Sequence, residues 1–234
     1  MEKRNLNIFG SGSSGGGEFN KIKISGDGTI TDALTCQVFK VYGTGVAMGD
    51  VKAESLDIYG TIDIHENVKS GSIKIYGTMS ANKDVAGKEM KIRGAMDVGG
   101  NVSGEDINLK GSLSVKGDCE VENFISDGSF EIGGLLNAGK VNIELKYGNS
   151  SVKEIGGEEI QVKRKSSFLG INKQNGSLDV DTIEGDHIYV EYTKASVIRG
   201  KKVEIGPGCD IGLVEYNEQF HCAKNSNVKK QIKI

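Results

Sequence analysis

The sequence predicts an all-β fold: a parallel β-solenoid of triangular cross-section that advances about 17 residues per coil. Three observations lead there. Glycine recurs at every seventeenth position from Gly26 through Gly43, Gly60, Gly77, Gly94 and Gly111 to Gly128, with no gap. Between these glycines apolar residues alternate with the strand period of two, and no helical period competes. The composition, 34 Gly, one Pro and no Trp in 234 residues, suits short strands and frequent tight corners better than a bulky globular core.

Each element of the repeat has its own column. Two residues before each glycine stand Ile24, Val41, Ile58, Ile75, Ile92 and Leu109, and the series fails only at Ser126. Four residues before it stand Ile22, Phe39, Leu56, Ile73, Met90, Ile107 and Phe124. A second inward pair includes Ile30 in the first coil and continues as Ile62/Ile64, Met79/Ala81, Met96/Val98, Leu113/Val115 and Phe130/Ile132. A third continues from Leu34/Cys36 as Val51/Ala53, Val68/Ser70, Val85/Gly87, Val102/Gly104 and Cys119/Val121. Three inward pairs per repeat describe three strands and three corners, with every residue stacked over its counterpart at about 4.8 Å.

The corners and outer faces are also columnar. The glycine corner requires either a positive φ or a close backbone approach. A second corner carries Asp50, Asn67, Asp84, Asn101 and Asp118, the residue types that best tolerate a left-handed conformation. Outside, Thr44, Thr61 and Thr78 form one ladder, and Tyr42, Tyr59 and Tyr76 another. Stacking of rings on neighbouring coils is the simpler reading of the tyrosines, and a binding stripe is the alternative.

The pattern divides the chain into segments. Residues 1–20 fall outside the register and read as a flexible head followed by a Gly/Ser linker. In that head Lys3 and Arg4 lie beside Leu6, Ile8 and Phe9, a basic and apolar stub suited to weak contact with an anionic membrane; a disordered tail is the simpler reading. Residues 21–146 form the regular solenoid. Residues 147–177 read as an irregular coil or loop, 178–216 as further coils, and 217–234 as a tail or cap.

Function is read from what the chain carries. A net charge of −3 with both signs interspersed gives no sign of a nucleic-acid partner. Four Cys without CxxC spacing suggest reduced thiols and a cytoplasmic protein, and no apolar run approaches the roughly 20 residues of a membrane-spanning helix. No catalytic, cofactor-binding or metal-ligating set is expected. His65 falls on an outward position, His187 and His221 lie in irregular segments, and Cys36 and Cys119 fill inward slots. The stretch Ile205 to Gly212, IGPGCDIG, matches the rhythm of hexapeptide-repeat acyltransferases once, which leaves such an enzyme as one alternative and a monomeric adaptor as another. The leading expectation is a self-assembling scaffold. The first coil starts after the linker without a capping helix, so Phe19, Ile22, Ile24 and Ile30 are the candidate end-to-end assembly residues.

Taken together, the triangular seventeen-residue repeat with its YGT phrases and the absent active site resemble the bactofilins over about 22–145. Residues 178–216 are similar to the C-terminal half of Gram-positive members. The resemblance implies a right-handed β-helix that polymerises without nucleotide into nonpolar filaments or shorter oligomers. It also implies a scaffold at the inner face of the cell membrane, partnered by itself and by envelope or flagellar proteins, with roles in cell shape or motility. The family's membrane-targeting head would map onto Met1 to Phe9. This chain is longer than the usual family core, so its later coils would cover one polymerising end.

Overall fold

The computed structural model describes residues 4–146, 148–164 and 176–234. They are all-β, wound as parallel solenoid coils in two compact units, Met1–Gly117 and Asp118–Ile234.

In the first unit long and short strands alternate. These are β1 (Arg4–Ile8), β2 (Ser11–Ser14), β3 (Gly17–Ile24), β4 (Asp27–Ile30), β5 (Leu34–Val41), β6 (Thr44–Ala47) and β7 (Val51–Ile58). They continue with β8 (Thr61–Ile64), β9 (Val68–Ile75), β10 (Thr78–Ala81), β11 (Val85–Ile92), β12 (Ala95–Val98), β13 (Val102–Leu109) and β14 (Ser112–Val115). From β3 onward each residue pairs with the one seventeen places later, as in Ile22 with Phe39, Phe39 with Leu56 and Leu56 with Ile73. These column residues are fully buried. Each such side chain contributes roughly 1.5–3 kcal/mol by leaving water.

The glycine corner follows from close approach. A Cβ on Gly77, Gly94 or Gly111 would collide with the carbonyl oxygen of the glycine one coil earlier. That crowding comes from direct backbone pairing, with the Thr78 N–H donating to Gly60 O at 2.9 Å and the Ala95 N–H to Gly77 O at 2.9 Å. Positive φ is not the reason. Among the described residues it occurs at Gly10, Gly17, Gly148, Gly208 and Tyr192.

The same observation corrects the expectation for the Asp/Asn corner, whose residues are not left-handed. Their side chains instead accept hydrogen bonds from the next coil. Asp50 Oδ1 accepts from both the N–H and the Nδ2 of Asn67, each at 3.0 Å. Asn67 Oδ1 accepts from Asp84 N–H at 3.3 Å, and Asp84 Oδ1 from Asn101 N–H at 2.8 Å. The alternation has an electrostatic reason: a neutral Asn separates carboxylates that would otherwise stack at strand spacing.

The flexible head and linker are also corrected. Residues 4–14 form the two strands of an additional coil, with β1 pairing to β3 and β2 to β4. The step here is shorter: Leu6 pairs with Ile22 and Ile8 with Ile24, sixteen residues on, and Arg4 with Phe19, fifteen on. Ile8 is buried, and its side chain together with Ile24 fills the slot left empty at Gly28.

The second unit contains β15 (Cys119–Ser126), β16 (Ser129–Leu145), β17 (Asn149–Arg164), β18 (Ser177–Val190), β19 (Thr193–Ile205), β20 (Asp210–Cys222) and β21 (Asn227–Lys233). Its steps vary. Cys119 pairs with Leu136, Ile132 with Val152, Val152 with Val180, Val180 with Ala195, Ala195 with Ile211 and Ile211 with Val228. Inward apolar residues still superimpose, as in Val141, Ile160, Ile188 and Val203. Ser126, the exception in its column, is buried and donates its hydroxyl to Gly128 O at 3.3 Å, while Phe124 meets Phe130 edge-on at 5.3 Å.

Two segment boundaries change. The expected irregular region 147–177 contains the sixteen-residue strand β17, and 165–175 lie outside the described residues. The expected tail 217–234 continues β20 and supplies β21, which adds a further pairing. At the end of β17, Arg164 donates its backbone N–H to Glu191 Oε2 at 2.8 Å and its Nη2 to Gly176 O at 2.6 Å. Its guanidinium lies 3.2 Å from the Tyr192 ring centroid.

Candidate functional site

Three surfaces follow from this winding. The first is the tyrosine ladder of the first unit. Successive coils place Tyr42, Tyr59 and Tyr76 directly above one another, with ring centroids 5.0 and 5.2 Å apart and interplanar angles of 2° and 3°. All three are about half exposed. Lys23 extends the stripe, its Nζ lying 5.1 Å from the Tyr42 ring and 5.8 Å from that of Phe9. Burial of the ring faces against each other stabilises the ladder, so stacking accounts for its geometry.

The second surface is formed by the terminal coils. Phe19, Ile22, Ile24 and Ile30 are not at an end. They are buried beneath β1 and β2, because the head supplies the coil that covers them. The head residues are correspondingly dispersed. Lys3 lies outside the described residues, Arg4 sits 5.0 Å over the Phe19 ring, Leu6 is half-buried and Ile8 is buried. Among the described apolar residues of the head, Phe9 is the exposed one, at 71%. Among the described residues β1 pairs with β3 alone and β21 with β20 alone, so each has an open edge.

The third surface was not legible in the sequence. In the second unit a cavity of about 470 Å³ lies over outward positions of β16 to β20. One column runs Lys140, Glu159, His187, Lys202 and Gln219, and a second runs Asn142, Gln161, Tyr189, Glu204 and His221. Lys140 and Glu159 form an ion pair at 3.1 Å. The unequal coil lengths hid the cavity that His187 and His221 both line. The recurring triplets Ile160-Gln161-Val162, Ile188-Tyr189-Val190 and Val203-Glu204-Ile205 were the available signal.

Three buried thiols, Cys36, Cys119 and Cys209, are held in their protonated form. Burial pushes Cys36 up to about 11, helped by the Glu54 charge, and Cys119 up to about 12. Burial also raises Cys209, the cysteine of the hexapeptide-like stretch, whose Sγ donates to Val190 O at 3.4 Å. A buried, protonated thiol is a poor nucleophile. That stretch forms a corner in which Gly208 adopts φ +74°. His65 is exposed on its coil. Among the described residues no group of three or more His, Cys, Asp or Glu is arranged to hold a metal, and no helix is long and apolar enough to cross a membrane.

Neither a protein-family model nor a solved structure matches the chain. It is 46% identical over 101 residues to the uncharacterized protein YhbF of Bacillus subtilis (strain 168), covering 43% of this chain and 42% of that relative. It is 39% identical over 106 residues to the uncharacterized protein YhbE of the same organism, covering 44% of this chain and 45% of the relative. The matched region thus spans a little under half the length of each relative.

Proposed function

We propose that the protein is a non-enzymatic, self-assembling scaffold of the bactofilin kind, whose terminal coils join other copies into nucleotide-independent filaments or oligomers. The observation that carries this reading is that, among the described residues, β1 and β21 each pair on one edge alone. An unpaired strand presents a row of backbone donors and acceptors, and a second solenoid end satisfies them with the same parallel pairing used inside the molecule. The edge at β21 also carries apolar groups: Val228 and Ile232 are half-buried and Ile234 is 66% exposed. Right-handed winding, an inner-membrane location, envelope or flagellar partners and a role in cell shape or motility belong to the same proposal, and they rest on the resemblance.

The test is negative-stain microscopy and sedimentation of the purified full chain without nucleotide. Filaments or discrete oligomers are expected. The double variant Val228→Lys and Ile232→Lys, which places charge on the open edge, is expected to shorten or dissolve them while leaving the circular dichroism spectrum unchanged. A parent protein that stays monomeric at high concentration and moderate salt overturns the proposal. Assemblies indifferent to the lysines move the joint away from β21.

A further inference from the structure

The cavity on the second unit is unexplained by coil stacking or by assembly. Its lining holds two lysines and two glutamates, Lys140, Lys202, Glu159 and Glu204, so its charges balance. Both lysines are engaged, Lys140 with Glu159 at 3.1 Å and Lys202 with Glu218 at 3.5 Å. The amides and imidazoles are not. Among the described residues, the side chains of Asn142, Gln161, His187, Gln219 and His221 line the cavity without a hydrogen bond or ion pair. In their midst stands the half-buried ring of Tyr189, which is held in place. Its hydroxyl donates to Glu191 Oε1 at 2.6 Å, and the other oxygen of that carboxylate accepts the Arg164 backbone N–H at 2.8 Å. The Lys163 ammonium lies 5.2 Å from the ring centroid. Glu204 follows Tyr189 in the same column and makes no ion pair within the described residues.

We infer that this cavity binds an uncharged oligosaccharide, a short chain of pyranose rings lying across β16 to β20. A sugar hydroxyl donates and accepts hydrogen bonds at once. Carboxamides and neutral imidazoles do the same, whereas phosphates and carboxylates only accept and ammonium groups only donate. The open groups of the cavity are thus matched to hydroxyls. Glu204 adds two acceptor oxygens suited to a vicinal diol, and Tyr189 offers a fixed ring surface to the C–H face of one sugar. The volume of about 470 Å³ falls within the roughly 300–1,000 Å³ of small-molecule sites. A polyanion fits less well, because the lysines already have carboxylate partners. A single nucleobase fits less well, because the open groups extend from Asn142 on β16 to His221 on β20. An extended peptide fits less well too, since the backbone of the floor is committed to pairing between coils. The inference does not depend on self-assembly.

The test is titration of the full chain with cellotriose, maltotriose and chitotriose, read by saturation-transfer NMR and calorimetry. At least one of the three is expected to bind with a dissociation constant of about 1 mM or tighter, with little dependence on salt. Trimannuronate and trilysine are expected to bind more weakly. Tyr189→Ala is expected to weaken the bound trisaccharide on the order of tenfold. Gln161→Ala with Gln219→Ala is expected to weaken it about fivefold. Both glutamines are exposed, so this second variant is expected to keep the parent's melting temperature. Tyr59→Ala, on the ladder of the first unit, is expected to bind like the parent. No binding of any of the three sugars, or binding that survives the glutamine double variant and Tyr189→Ala alike, overturns the inference. Tighter binding of trimannuronate or trilysine also overturns it and gives the cavity to a charged ligand.

Discussion

The stretch from β3 to β14 and the stretch from β16 to β20 solve the same packing problem with different arithmetic. In the first, every coil takes seventeen residues. In the second, Ile132 reaches its partner after twenty residues, Val152 after twenty-eight, Val180 after fifteen and Ala195 after sixteen. Inward apolar side chains superimpose in both. What the fold conserves is the strand cross-section, and the corners absorb the difference in length. In the first unit the corners are pinned at the glycines, whose backbones touch, and at the Asp/Asn ladder, whose side chains bond the next coil. Glycines of the second unit are crowded as well, with a Cβ on Gly157 colliding with Ala138 O and one on Gly185 with Gly157 O, so close backbone approach also accompanies a variable step.

The comparison breaks first at its common ground. Ile75 and Ile183 are both fully buried, one in each region. Ile75→Asp and Ile183→Asp are each expected to cost on the order of 4 kcal/mol or more in chemical unfolding, because a carboxylate is placed in an apolar column without a partner. A mild Ile183→Asp would mean that the irregular coils are not wound on such a column.

Corner substitutions sharpen the contrast. Gly94→Ala drives a methyl into the Gly77 carbonyl and is expected to cost about 3 kcal/mol. At Gly139 of the second unit a Cβ would lie 3.3 Å from Glu122 O, a tight but adjustable contact. Gly139→Ala is expected to cost less than about 1 kcal/mol. Equal costs would mean that the crowding against the Gly77 carbonyl is not what selects glycine at position 94.

Alkaline titration probes the interior. Cys119 is pushed from its ordinary value of 9.0 up to about 12 by burial, so above pH 9 the unfolded chain loses a proton that the folded chain keeps. Its contribution is complete below pH 9 and declines as pH rises through 12. Cys119→Val is expected to reduce the loss of melting temperature measured across that window. A variant with the parent's slope would contradict the burial. A modest electrostatic effect lies at the polar corner. Asn67→Asp sets three carboxylates, at 50, 67 and 84, in a row and is expected to cost a few tenths of a kcal/mol at low salt, reduced as salt is added. Thermal melts at low and high salt check it.

Much of the fold was legible because stacking turns repetition in sequence into columns in space. The Ile and Gly columns of β3 to β13 could be read by counting. The first coil could not, since its step is fifteen and then sixteen, and Gly12 and Ser14 stand where later coils carry apolar pairs. The Ser/Gly run therefore read as a linker, although the Ile8 side chain lies against the open position at Gly12. The Asp/Asn corner was located correctly but for the wrong reason: side-chain reach to the next coil, not backbone handedness, selects those residues. The tyrosine ladder was plain from its spacing. The groove with His187 and His221 depends on coils of unequal length, which no fixed period reveals.

The central claim is that coils stack along the axis on which copies join, and diffraction from aligned, concentrated protein tests it most directly. The account predicts a reflection near 4.8 Å on the meridian, along the assembly axis, because successive coils repeat at strand spacing in that direction. A 4.8 Å reflection on the equator, or specimens that align without one, would contradict it.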